Sequence, residues 1–235
     1  MASERVRKLL DDAEALRWRR DFDAASARFI EAQHVAHEEG DLSSVATALV
    51  WRSIVLQLQT PSIEAATEAL ALQRQALAIE ERLSPLAQGR QADTLRVMAD
   101  TLEAAGEKEA ALEAAGRSIE LFESLRLRSL PVEGAYATFT RLARDLGRHA
   151  EARTAAAKLI EVCGALESPL RLSAAHMEAG QAALSLELTE EALHHFEEVL
   201  RIAEPRIRLG QARRLVAEVN VLIEQARSPK GPAQP

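Results

Sequence analysis

Apolar residues recur along this chain at intervals of three and four, not two. In 43–59, "SSVATALVWRSIVLQLQ", and 91–105, "QADTLRVMADTLEAA", they form one stripe of a helical surface. Pro61, Pro85, Pro131, Pro169 and Pro205 fall between such segments rather than inside them, where they would remove a backbone donor and clash with the preceding turn. The pattern predicts helices throughout and no strands.

A longer period lies over the short one. "LGRHAEA" at 146–152 and "AGEKEAA" at 105–111 are two copies of one turn. Gly147 is followed by Ala152 and Ala156, and Gly106 by Ala111 and Ala115. Thr189, Ala192 and Phe196 continue the series; Ile63, Ala66 and Leu70, then Phe22, Ala25 and Phe29, precede it. Alanines at 25, 66, 111, 152 and 192 thus mark five helix pairs spaced by about forty residues. Small residues at these positions let two helices approach closely, with Ala13, Ser53, Ala99, Thr140 and Gly180 as their counterparts on the first helix of each pair. Ala155 is placed one residue off that register. Each pair leaves an apolar face that only the next pair closes.

The predicted pairs span about 6–40, 42–84, 91–129, 132–168 and 170–204, and an unpaired amphipathic helix at 206–226 closes the stack. Together they make a single domain, 1–227, followed by a tail at 228–235 whose Ser, Pro and Gly content predicts disorder. A plain helical bundle is the alternative, since Ala-rich helices also produce chance Ala-x-x-x-Ala spacings.

These residues resemble the tetratricopeptide repeat (TPR) family, in a long-period, bacterial-type variety of about forty residues. The family pattern is matched by Met98, Ala99, Leu102, Ala105, Gly106, Lys108 and Ala111, and again by Phe139, Thr140, Ala143, Leu146, Gly147, His149 and Ala152. Lys108 and His149 replace the expected aromatic, which Phe22 keeps. The resemblance covers roughly residues 6 to 205. It implies an all-α, right-handed α-solenoid of helix-turn-helix repeats, a TPR-like superhelix with a C-terminal closing helix. It also implies that the first helix of each pair lines a concave groove. Carried over position by position, the partner-binding residues are Arg17 and Trp18; Val50, Trp51 and Ile54; Arg96, Asp100 and Glu103; Arg141 and Arg144; and Glu178 and Gln181. For Trp51 groove and core are equal readings; Trp18, beside the turn, reads first as packing. Arg141 and Arg144, three apart, suit a carboxylate, or else form a solvated face.

Composition narrows the function. Apolar residues are 47% and charged residues 28%, which favours a folded chain over a disordered one. No run of eighteen apolar residues supports a membrane span, and no apolar segment follows the basic start, so the cytoplasm is the expected compartment. The single cysteine, Cys163, reads as a small core residue. A net charge of −7 argues against a phosphate-backbone partner. Arg206, Arg208, Arg213 and Arg214 gather near the last helix, where Glu197, Glu198 and Glu204 offer internal partners.

His34 and His37 stand one turn apart without a third ligand, and no phosphate loop, nucleophile elbow or His-Glu-x-x-His pattern occurs. The expectation is a non-enzyme with no metal and no cofactor. The predicted partner is a protein or peptide segment held in the groove. Alternatives are self-association, as a homodimer through an end helix around Leu9, Leu10 and Leu16 or around Leu215, Val219 and Leu222, and a ligand- or peptide-sensing repeat protein without its own DNA-binding domain. Clamping of a chaperone C-terminus is disfavoured, since the only asparagine, Asn220, lies in the closing helix.

Overall fold

The computed structural model describes residues 3–127 and 129–227. Among these residues there are eleven α-helices and no strand. The N-terminal unit, to Arg126, holds α1 (Glu4–Trp18), α2 (Phe22–Glu38), α3 (Leu42–Gln59), α4 (Ile63–Leu83), α5 (Gln88–Ala104) and α6 (Lys108–Ser124). The second unit, from Leu127, holds α7 (Leu130–Asp145), α8 (His149–Ala165), α9 (Pro169–Ser185), α10 (Thr189–Ala203) and α11 (Gly210–Arg227). The tail at 228–235, expected to be disordered, lies outside the described residues.

Within each unit every helix packs on the next. The first helices of successive pairs also touch: α1 on α3 and α3 on α5 in one unit, α7 on α9 and α9 on α11 in the other. Stacking of helix-turn-helix pairs, with α11 as the terminal helix, makes the fold an all-α repeat solenoid.

The crossings explain the small residues. Ala25, Ala66, Ala111, Ala152 and Ala192 are buried, as are Ala13, Ser53, Ala99, Thr140 and Gly180. Large residues fill what the small ones leave open. A Cβ built on Gly180 would lie 2.6 Å from Cδ1 of the buried Phe196 and nearer still to Cε1. In the first pair Phe29 packs with Ala13, Ala25 and Val55. Ala155 is also buried, against expectation, because a helix clasped between two neighbours hides more than one stripe; Ala157 is the exposed neighbour.

Five of the tight turns share one geometry. A helix ends, one residue takes positive φ, and the amide after it bonds back to the carbonyl five residues earlier, as in a Schellman cap. Arg148 N donates to Ala143 O at 2.8 Å around Gly147 (φ 74°), and Glu107 N to Leu102 O at 2.9 Å around Gly106 (φ 84°). Arg20, Arg126, Glu167 and Glu187 take a similar positive φ without being glycine. Left-handed backbone disfavours L side chains. Gly147→Ala is therefore expected to cost about 1 kcal/mol and Glu187→Gly to gain a similar amount. Urea midpoints of the two variants, shifted in opposite directions, are the check.

The closing helix begins later than predicted. Pro205 ends α10 and sits in a 3-10 turn, Glu204–Arg206, so that α11 starts only at Gly210. In the N-terminal unit a buried polar spine joins three helices. Gln73 Nε2 donates to Ser53 Oγ at 3.0 Å and to Thr101 Oγ1 at 2.7 Å, and Gln57 Nε2 also reaches Thr101 Oγ1, at 2.9 Å. Such hydrogen bonds fix the relative position of α3, α4 and α5 more specifically than apolar contact does.

Candidate partner-binding face

In the N-terminal unit the candidate residues collect around Arg17. Its guanidinium carbon lies 4.5 Å from the ring centre of Trp18 and 4.8 Å from that of Trp51. Its long contact to Glu14 is 3.6 Å, and its Nε is buried without a hydrogen-bond partner among the described residues. Stacked this way, the cation holds both indoles in place. Trp51 has one side against the core, parallel to Phe29 at 6.3 Å and beside Ala13, Ala25 and Val55. Trp18 differs from the packing expected of it, standing 72% exposed at the end of α1. The last turn of α1 directs it outward, since consecutive residues lie about 100° apart around a helix. Val50 and Ile54 are half-buried on α3. Glu14 and Phe29, which complete this cluster, are absent from the sequence-based set.

On α5, Arg96 bonds Asp93 at 2.9 Å and Asp100 at 3.2 Å, one turn to either side. Glu103 is half-buried and engaged.

In the second unit Arg144, Glu178 and Gln181 come together. Arg144 Nη1 donates to Glu178 Oε2 at 2.8 Å and also to Gln181 Oε1, and Gln181 Nε2 donates to Glu218 Oε1 at 3.4 Å. Thus α7, α9 and α11 are linked side chain to side chain. Burial pushes the Glu178 carboxyl up, while Arg144 and then Arg141 pull it back. Arg141 is half-buried and engaged. Arg144 is therefore an internal partner of Glu178 rather than an unoccupied clamp. Glu218 escaped the sequence reading because the terminal helix was read as an end cap or a self-association face, not as part of the groove.

Other titratable groups lie off this face. His34 and His37 are exposed on α2. His176 and His195, unforeseen as a pair, place their Nδ1 atoms 3.1 Å apart between α9 and α10, and burial, then His195, push His176 down to about 4. Cys163 is buried, and its thiol is pushed up to about 12 by that burial. Glu80, on α4, is 1% exposed, and its Oε2 finds no partner among the described residues. Burial pushes its carboxyl up to about 7, with the Thr94 hydroxyl and then Arg90 opposing. Among the described residues no group of three or more His, Cys, Asp or Glu is placed to hold a metal, and no helix is long and apolar enough to cross a membrane.

No family model matches the sequence, and no curated protein matches it. Solved structures do match its fold. The apo form of RapI aligns with a TM-score of 0.80 at 15% identity, over 96% of this chain and 78% of that one. TPR-like repeats of a Podosopora anserina putative kinesin light chain align at 0.70 and 14% identity, over 87% and 97%. A STAND ATPase with a tetratricopeptide repeat sensor, from Pyrococcus horikoshii, aligns at 0.74 and 14% identity, over 92% of this chain and 33% of that one. With five marked helix crossings, left-handed turns and these likenesses, the chain has the TPR-like helical-repeat fold.

Proposed function

We propose that this chain is a protein-interaction scaffold of the long-period bacterial TPR type, in which residues 1–227 work as one cytoplasmic domain and the first helices receive a segment of a partner protein. The observation that carries the reading is the Trp18–Arg17–Trp51 stack. A large aromatic surface stands exposed and is already immobilised, so binding it costs little side-chain entropy. Val50 and Ile54 extend the apolar surface, and Arg96, Asp100, Glu103, Arg141, Arg144, Glu178 and Gln181 supply polar positions for selectivity. The tetratricopeptide repeat sensor of the similar ATPase favours a second reading, in which the bound segment is a signal rather than a structural partner.

Trp18→Ala is the informative variant, because Trp51→Ala also removes packing against Phe29. Capture from cytosolic extract by the wild type is expected to return a few specific proteins, and by Trp18→Ala to lose them at unchanged helicity. An identical set of captured proteins from both would overturn the proposal.

A further inference from the structure

The turn from α1 into α2, "RWRRDF" at 17–22, sets three arginines among aromatic rings. Arg17 is the informative one. Its side chain is only 13% exposed, yet it makes no hydrogen bond among the described residues. The 3.6 Å contact to Glu14 is too long for one, and the Glu14 side chain, 44% exposed, has room to turn aside. A guanidinium carries five donors in a planar fork, and a nearly buried one without an acceptor is costly. The end of α1 favours positive charge through the helix dipole. That accounts for arginine at this place but supplies no acceptor to its donors.

The acids that follow in the chain are engaged elsewhere. Asp21 Oδ1 accepts from Ala24 N at 3.4 Å, and Asp23 Oδ1 from Gln59 Nε2 at 2.5 Å. Arg19 and Arg20 are exposed and form no ion pair among the described residues, with Arg20 lying 5.8 Å from the centre of the Phe22 ring. A chain of net charge −7 thus carries a local positive excess beside the exposed indole of Trp18. Such a surface lacks two things, a carboxylate for Arg17 and an apolar group to cover Trp18.

We propose that the partner segment received here alternates acidic and apolar residues, a carboxylate taking the place of Glu14 at Arg17 and the neighbouring apolar side chain lying on Trp18. The inference rests on the partner-binding reading above and adds what the segment must carry. Proline is the apolar residue that loses least on being ordered, since its ring has almost no rotamer freedom. Arginines among aromatic rings also suit a single-stranded nucleic acid. Glu14, Asp21 and Asp23 stand against a continuous chain of phosphates, whereas a peptide presents its carboxylates singly.

The test is fluorescence polarisation of the full chain with a labelled peptide of alternating glutamate and proline at low ionic strength. Peptides with glutamine for glutamate or glycine for proline, and a single-stranded oligonucleotide, are run in parallel. Saturable binding of the glutamate–proline peptide is expected, about tenfold weaker for either altered peptide and in Arg17→Gln or Trp18→Ala. Arg19→Glu/Arg20→Glu, which alters exposed residues alone, is expected to weaken it similarly, by a factor that shrinks as salt is raised. Arg214→Glu, exposed on α11, is expected to bind as the wild type does. Circular dichroism accompanies each variant; should Arg17→Gln lose helicity, the exposed double variant and the glutamine peptide decide. No binding of the glutamate–proline peptide, equal binding of its glutamine analogue, or arginine-dependent binding of the oligonucleotide alone would each overturn the inference. Captured proteins lost by Trp18→Ala but kept by Arg17→Gln and Arg19→Glu/Arg20→Glu would overturn the acidic segment and leave the scaffold reading standing; proteins kept by all of these variants would overturn both.

Discussion

Replacing Glu80 with glutamine is expected to stabilise the N-terminal unit at pH 8 and to change little at pH 4.5. In the unfolded chain the carboxyl ionises near its ordinary value of 4.5, whereas in the folded protein it holds its proton to about 7. Between those values the folded state binds more protons, so stability falls as pH rises. Above 7 the loss is complete, at about 3 kcal/mol for a shift of this size. Glutamine removes the charge but leaves an amide donor unpaired where Oε2 lies, at about 1 kcal/mol. The net gain at pH 8 is about 2 kcal/mol. His176 acts in the opposite direction. Its imidazole resists protonation down to about 4 in the folded state but takes a proton at 6.5 when unfolded. That contribution is complete above 6.5 and is lost as pH falls toward 4. The opposing slopes flatten the wild-type profile between 4.5 and 6.5, and Glu80→Gln exposes the acid-side loss alone. Urea midpoints followed by circular dichroism from pH 4 to 8 check this; an unchanged pH profile in Glu80→Gln would place the carboxylate in water.

Gly180→Val is expected to destabilise the second unit by about 3 kcal/mol and to lower its melting temperature by several degrees. The Cβ alone enters the volume of the Phe196 ring, and that ring has no solvent to move into. Valine adds two methyl groups to the clash. Glycine's poor helix propensity works the other way by about 1 kcal/mol, so alanine is the milder replacement. Shrinking the partner is the control: Phe196→Leu is expected to recover part of the loss when combined with Gly180→Ala, giving a coupling of about 1 kcal/mol or more in a double-mutant cycle. Wild-type melting by Gly180→Val would mean that α9 and α10 separate without cost.

The repeat was legible because close approach restricts residue type. Alanine or a similarly small residue is needed at each crossing, so the spacing from Ala25 to Ala192 could be read without coordinates. Gly106 and Gly147 announced left-handed turns. Arg20 and Glu187 did not, since an L residue accepts that backbone at a cost and leaves no compositional trace. Glu80 continues a buried stripe through Ala69, Gln73 and Ala76, a 3–4 spacing already present in the sequence, but an acidic residue on such a stripe is read first as surface. The orientation of Trp18 depends on where α1 ends, which spacing alone does not give. The candidate residues Arg144, Glu178 and Gln181 were placed on one face by the family resemblance, but their mutual hydrogen bonds depend on side-chain reach across two helices.

The uniformity of the tight turns also determines where the chain can be edited. Around Gly147 the bond from Arg148 to Ala143 tolerates no added residue, because one insertion moves the amide away from its carbonyl and rotates the following helix off its crossing. The connection from Ser84 to Ala87 has no left-handed residue and carries Leu86 at 91% exposure. New termini for a circular permutant, an epitope tag or a fluorescent insertion belong there, at the exposed Leu86 rather than at the buried Ala87.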